Sequence, residues 1–110
     1  MKKVFRAVII DDEKLAREDL RSLLEEFQEI QIVGEAGNAE EAKTAIAELD
    51  PDLIFLDIQM PGKNGFELLS ELNTRAKIIF VTAYDEYAIK AFEVNAQDYL
   101  LKPVNSKRLQ

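Results

Sequence analysis

The sequence predicts a doubly wound α/β domain: five parallel strands in the order 2-1-3-4-5, covered by helices. Three observations predict it. Apolar runs of four to seven residues alternate with helical patterns along most of the chain. The runs are almost continuously apolar, as in strands covered on both faces. A helical pattern follows most of them, which makes each strand pair a βαβ unit and therefore parallel. The 110 residues suit one such domain. With 47% hydrophobic residues, the chain has enough apolar surface to fold as a globule.

The elements follow in order. Val4 to Ile10 reads as the first strand. The preceding Met1-Lys2-Lys3 resembles the start of a signal peptide. Arg6 interrupts the apolar run, Asp11-Asp12-Glu13 ends it, and no small-residue cleavage site follows. Lys14 to Phe27 is helical, with Ala16, Leu20, Leu23 and Phe27 on one face. Ile30 to Glu35 is the second strand. Asn38 then caps a helix, with Glu41 three residues on as the partner of a capping box. That helix turns Ala42, Ala45, Ile46 and Leu49 inward and stops at Pro51.

Leu53 to Leu56 is the third strand, and Asp57 sits at its end. Pro61 to Gly65 reads as a loop. Phe66, Leu69 and Leu72 mark a short third helix, and Ile78 to Val81 the fourth strand. Glu86 to Val94 is a fourth helix with Ala88, Ala91 and Phe92 inward, and Asp98 to Leu101 the fifth strand. From Asn105 to Gln110 a fifth helix begins and is largely missing. The single domain is thus expected to span 1–110 and to be truncated near the start of that helix.

The composition excludes several function classes. A net charge of −7 disfavours binding of this chain to nucleic acid, which depends on Lys and Arg meeting phosphates. There is no Cys, hence no disulfide framework or thiolate metal site, in keeping with a cytoplasmic location. There is no His, hence no histidine base, ligand or phosphohistidine on the chain itself. No apolar run is long enough to span a membrane.

The acidic residues point to a site. In open parallel sheets, ligands bind beyond the strand C-termini where strand order reverses. Asp11 and Asp12 follow the first strand and Asp57 ends the third, its neighbour in that order. Gathering them is costly: two like charges ~5 Å apart repel by roughly 3 kcal/mol at an effective dielectric of ~20. A hard cation explains the gathering, and Mg²⁺ favours a few carboxylates plus water beside phosphates. Thr82, ending the fourth strand, offers a hydroxyl, and Lys102, after the fifth, a positive charge. Taken singly, Thr82 reads as a strand residue and Lys102 as a surface lysine. Taken together, the groups read as a phosphoryl-transfer site with Asp57 as nucleophile and the donor on another protein.

The same residues resemble the receiver family of two-component response regulators. The matching motifs are Asp11-Asp12, Leu56 to Gly62, Thr82-Ala83 and Asp98 to Pro103, in order, across Val4 to Pro103. The resemblance implies a flavodoxin-like fold and a phosphorelay switch rather than a turnover enzyme. It implies Asp57 as phosphoacceptor, Mg²⁺ held by Asp12, by Asp11 mainly through water, by Asp57 itself and by the Gln59 backbone carbonyl, and Lys102 contacting the phosphoryl group. Thr82 and Tyr99 are then the switch residues, Gln59 and Tyr84 tune the acyl-phosphate lifetime, and Lys102–Pro103 is cis. The implied partner is a sensor histidine kinase. The stretch from Thr82 to Glu93 is similar to receivers joined to LytTR-type DNA-binding domains, so DNA is expected only through an output domain outside this chain. Loss of the fifth helix implies lower stability, or a homodimer or other self-association that covers the gap.

Three other readings compete. A haloacid-dehalogenase-type phosphatase also uses an Asp after a strand, but wants a second Asp two residues on, where Gln59 stands. A flavodoxin-like nucleotide binder wants a hydroxyl- and Gly-rich loop after the first strand, where Asp11-Asp12-Glu13 would repel a phosphate. A receiver-shaped interaction module that is never phosphorylated has no use for the intact acidic set and Lys102.

Overall fold

The computed structural model describes residues 4–58, 60, 64–72, 74–82 and 98–101. Its elements are β1 (Phe5–Ile10), α1 (Lys14–Leu24), β2 (Ile30–Ala36), α2 (Ala39–Leu49), β3 (Leu53–Leu56), α3 (Gly65–Glu71), β4 (Lys77–Thr82) and β5 (Asp98–Leu101). The strands form one sheet in the order β2-β1-β3-β4-β5, as expected. Each neighbouring pair is parallel. The helix expected over Glu86–Val94 and the partial helix from Asn105 lie outside the described residues. No described helix is long and apolar enough to cross a membrane.

The sheet separates two cores. On one face Val8, Ile10, Ile54, Leu56, Ile78 and Phe80 pack with Ala42 and Ile46 of α2 and with Phe66 and Leu68 of α3. On the other, Ala7, Ile9, Leu53, Phe55 and Val81 pack with Leu20 and Leu24 of α1. The alternation along β1, β3 and β4 follows from successive strand side chains pointing to opposite faces. Residues such as Phe55, Phe80 and Ile54 are fully buried, and each such side chain contributes roughly 1.5–3 kcal/mol by leaving water.

Local chemistry sets the helix ends. Helix α1 stops at Leu24, three residues before the expected end at Phe27. There the chain tightens: the Glu26 and Phe27 amides donate to the Leu23 and Leu24 carbonyls, and the Ile30 amide donates to Phe27 to start β2. Leu24 faces the core, whereas Leu23 is only half-buried. Likewise Leu68 is the fully buried residue of α3 beside Phe66, while Leu69 and Leu72 pack at the margin.

Asn38 caps α2 as expected, accepting from the Glu41 amide at 2.9 Å. The reciprocal bond differs: the Glu41 carboxylate accepts from the Gly37 amide at 2.8 Å, one residue further back. The full capping box lies instead at α3. There Asn64 accepts from the Glu67 amide at 2.9 Å, and Glu67 accepts from the Asn64 amide at 3.2 Å. The end of α2 uses Asp50 in the left-handed region (φ 44°), a conformation Asp tolerates better than most residues. The Arg6 guanidinium donates to the Asp50 carbonyl at 3.2 Å. Asp52 then ties three strands: its carboxylate accepts from the Arg6 amide at 2.9 Å, and its carbonyl from the Lys77 amide at 2.9 Å.

Candidate functional site

The site sits at the C-terminal edge of β1 and β3, where the strand order reverses. The strand ladder continues one residue past each strand and holds both aspartates at the same level. The Asp57 amide donates to the Ile10 carbonyl at 2.9 Å, and the Asp11 amide to the Ala36 carbonyl at 3.0 Å. Asp11 and Asp57 are each only 4% exposed, amid an otherwise apolar buried set. Asp12 is exposed. The Glu13 amide donates to Asp11 Oδ1 at 2.9 Å, a local turn that orients that carboxylate.

The three carboxylates meet. One ligand oxygen from each of Asp11, Asp12 and Asp57 lies within 4.8 Å of the others. Like charges at that range repel by roughly 3 kcal/mol per pair at an effective dielectric of ~20, so the cluster favours a positive guest. Oxygens bound to one Mg²⁺ at about 2.1 Å in an octahedral shell are at most roughly 4.2 Å apart. A set of oxygens all within 4.8 Å of one another is close to that span and fits one hard cation, held by the carboxylates directly or through water.

Helix α3 fixes the end of β3. The Gly65 amide donates to the Ile58 carbonyl at 2.8 Å. A Cβ on Gly65 would lie 2.6 Å from the Asp57 carbonyl oxygen and 3.0 Å from the Ile58 Cα. Only a residue without a side chain lets the helix start this close to the backbone of Asp57. The Phe66 ring packs on Phe80 with centroids 4.8 Å apart, anchoring the same turn to β4.

Among the residues expected at the site, Asp11, Asp12 and Asp57 are brought together. Thr82 is the last residue of β4, and Tyr99 lies in β5 opposite Phe80. Gln59, Tyr84, Lys102 and Pro103 lie outside the described residues. Sequence reasoning missed Gly65, whose place directly after a helix cap was the available signal. It also missed Arg17, whose Nη1 donates to the Asp11 carbonyl at 2.6 Å, and for which no sequence signal existed.

The response regulator receiver domain model matches residues 7–110 of the chain. A response regulatory protein of Yersinia pestis is 58% identical over 108 residues, covering 96% of this chain and 45% of that protein. The transcriptional regulatory protein BtsR of Salmonella typhi is 54% identical over 109 residues, covering 97% and 46%. The chain thus spans about half the length of these relatives. Among solved structures, the response regulatory domain of mrkE from Klebsiella pneumoniae superposes with a TM-score of 0.83 at 34% identity, over 94% of this chain and 88% of that one. The acidic edge of the sheet, the strand order and these likenesses agree: the chain belongs to the response regulator receiver domain family, the regulatory module of two-component systems.

Proposed function

We propose that Asp57 accepts a phosphoryl group from the phosphohistidine of a sensor histidine kinase, in a Mg²⁺-dependent reaction. The observation that carries this reading is the convergence of the Asp11, Asp12 and Asp57 carboxylate oxygens within 4.8 Å. A carboxylate nucleophile has no proton to lose, so a chain without histidine needs no base. One Asp57 oxygen bonds to phosphorus as the donor's P–N bond breaks, and that bond's electron pair goes to the imidazole. Asp12 directly, Asp11 mainly through water, Asp57 itself and the Gln59 backbone carbonyl would hold the cation. When bound, Mg²⁺ supplies neutralisation of charge on the transferred oxygens.

Lys102 contacts the phosphoryl group. Thr82 hydrogen-bonds to it after transfer, and Tyr99 turns inward in response, so that Thr82, Tyr99 and the helix expected over Glu86–Val94 form the two-state switch. The adjacency of β4 and β5, with Thr82 paired to Leu101 and Phe80 to Tyr99, supports the coupling of Thr82 to Tyr99. The switch changes partner binding or self-association. The chain is the receiver part of a longer cytoplasmic transcriptional regulator with a LytTR-type output domain, a reading supported by relatives named as transcriptional regulators.

The test is incubation with Mg²⁺ and acetyl phosphate, followed by intact mass measurement beside Asp57→Asn. One added phosphoryl group, dependent on Mg²⁺ and absent from the variant, is the expected result. No addition to a folded wild-type sample would favour a receiver-shaped interaction module instead.

A further inference from the structure

Strand β2 carries one residue more than β1 over their paired length. Ala7 pairs with Ile32 but Val8 pairs with Gly34, so Val33 is the extra residue of a bulge. One inserted residue switches the face of every side chain that follows it. Ile30 and Ile32, before the bulge, pack on the face covered by α1. Unbroken alternation would send Glu35 to the opposite face. The bulge returns it to the α1 side, while Ala36 packs on the α2 side.

There Glu35 meets two arginines of α1. It accepts from Arg17 Nε at 3.0 Å and from Arg21 Nε at 2.8 Å. The two arginines differ in what else they reach. Arg17 Nη1 donates to the Asp11 carbonyl at 2.6 Å, and its side chain is 18% exposed against 40% for Arg21. The Asp11 carbonyl belongs to the planar peptide linking Asp11 to Asp12. Holding that oxygen sets the plane from which the Asp12 side chain departs.

We propose that Arg17 is a positioning residue for cation binding: braced by Glu35 across the bulge, it fixes the Asp11–Asp12 peptide so that both carboxylates keep the spacing a divalent cation needs. The inference rests on the Mg²⁺-dependent reading given above. A planar guanidinium suits this bridge because its nitrogens reach two acceptors in fixed directions.

The sign of the effect separates positioning from charge. Arg17→Ala and Arg21→Ala each remove one positive charge on the same helix. If charge alone mattered, both variants would bind Mg²⁺ more tightly. Positioning predicts the reverse for Arg17 only. The experiment is calorimetric titration of the chain with Mg²⁺, with the folded fraction of each variant checked by circular dichroism. Arg17→Ala is expected to bind about tenfold more weakly, the scale typical for residues that orient metal ligands. Arg21→Ala is expected to bind as tightly as the wild type or more so. Arg17→Lys keeps the charge and stem but not the fork, and serves if the alanine variant does not fold; it is expected to fall between wild type and Arg17→Ala. Wild-type affinity in Arg17→Lys, unweakened binding in Arg17→Ala, or an equal loss in Arg21→Ala would overturn the proposal. Absence of Mg²⁺ binding by the wild-type chain would overturn the cation reading as well, and the wild-type titration alone identifies that case.

Discussion

Gly65 lies against the backbone of Asp57: a Cβ at Gly65 would sit 2.6 Å from the Asp57 carbonyl oxygen. The clash would be with backbone rather than with the end of a flexible side chain, so it cannot be relieved by a rotamer change. Gly65→Ala must push α3 off the end of β3 or twist the Asp57–Ile58 peptides. Overpacking of this kind costs about 1–3 kcal/mol. The expected outcome is a lower urea midpoint together with slower labelling of Asp57 by acetyl phosphate. A variant with wild-type midpoint and labelling rate would show that the contact does not constrain the site.

Removing one carboxylate from the cluster should stabilise the fold when no divalent cation is present. Asp57→Asn keeps the size of a side chain that is 4% exposed and deletes its charge. A net gain of 1 kcal/mol corresponds to a rise in Tm of roughly 4–8 °C for a domain near this size. Thermal unfolding in EDTA should show that rise, and saturating Mg²⁺ should shrink the difference by stabilising the wild type. A lower Tm in EDTA would mean that the hydrogen bonds of the buried carboxylate outweigh the repulsion.

Mg²⁺ itself should raise the Tm of the wild-type chain. A ligand that binds only the folded state contributes about 2.7 kcal/mol at a concentration 100 times its Kd. Differential scanning fluorimetry across an Mg²⁺ series should show a rise that is lost in Asp12→Asn. Sodium chloride at equal ionic strength tests whether the effect is mere screening, and is expected to give a much smaller shift.

The capping box at the start of α3 is a separate, smaller contribution. Asn64→Ala removes the side chain that accepts from the Glu67 amide at 2.9 Å. Losing such a cap typically costs about 1 kcal/mol. Urea unfolding should show a lower midpoint with an unchanged slope, since the surface exposed on unfolding stays the same. An unchanged midpoint would mean that α3 is held by Phe66 and Leu68 rather than by its cap.

Much of this architecture was legible in the sequence. The apolar runs from Val4, Ile30, Leu53, Ile78 and Asp98 mark all five strands to within a residue or two. For β1 and β3 the reason is that strands buried on both faces leave little room for polar residues. Asp57 was legible because it follows such a run directly, and Asp11-Asp12 for the same reason. The end of α1 was not, since Phe27 keeps the helical spacing of apolar residues while the chain has already tightened into a turn. Nor was the second bond of the Asn38 cap, which Glu41 makes to Gly37: the spacing of a capping box does not say which amide the carboxylate will find.

By itself, the sequence determined the element order, the parallel sheet and the residue types at its C-terminal edge, because periodicity and burial are local and leave a pattern. Only the tertiary structure decided how those residues meet. The bulge at Val33 sets which face Glu35 occupies, and so whether Arg17 has a carboxylate to brace it. The approach of Gly65 to Asp57 depends on where α3 packs. Both are contacts made across loops and between elements, and a strand register or a backbone approach leaves no periodic trace in the sequence that produces it.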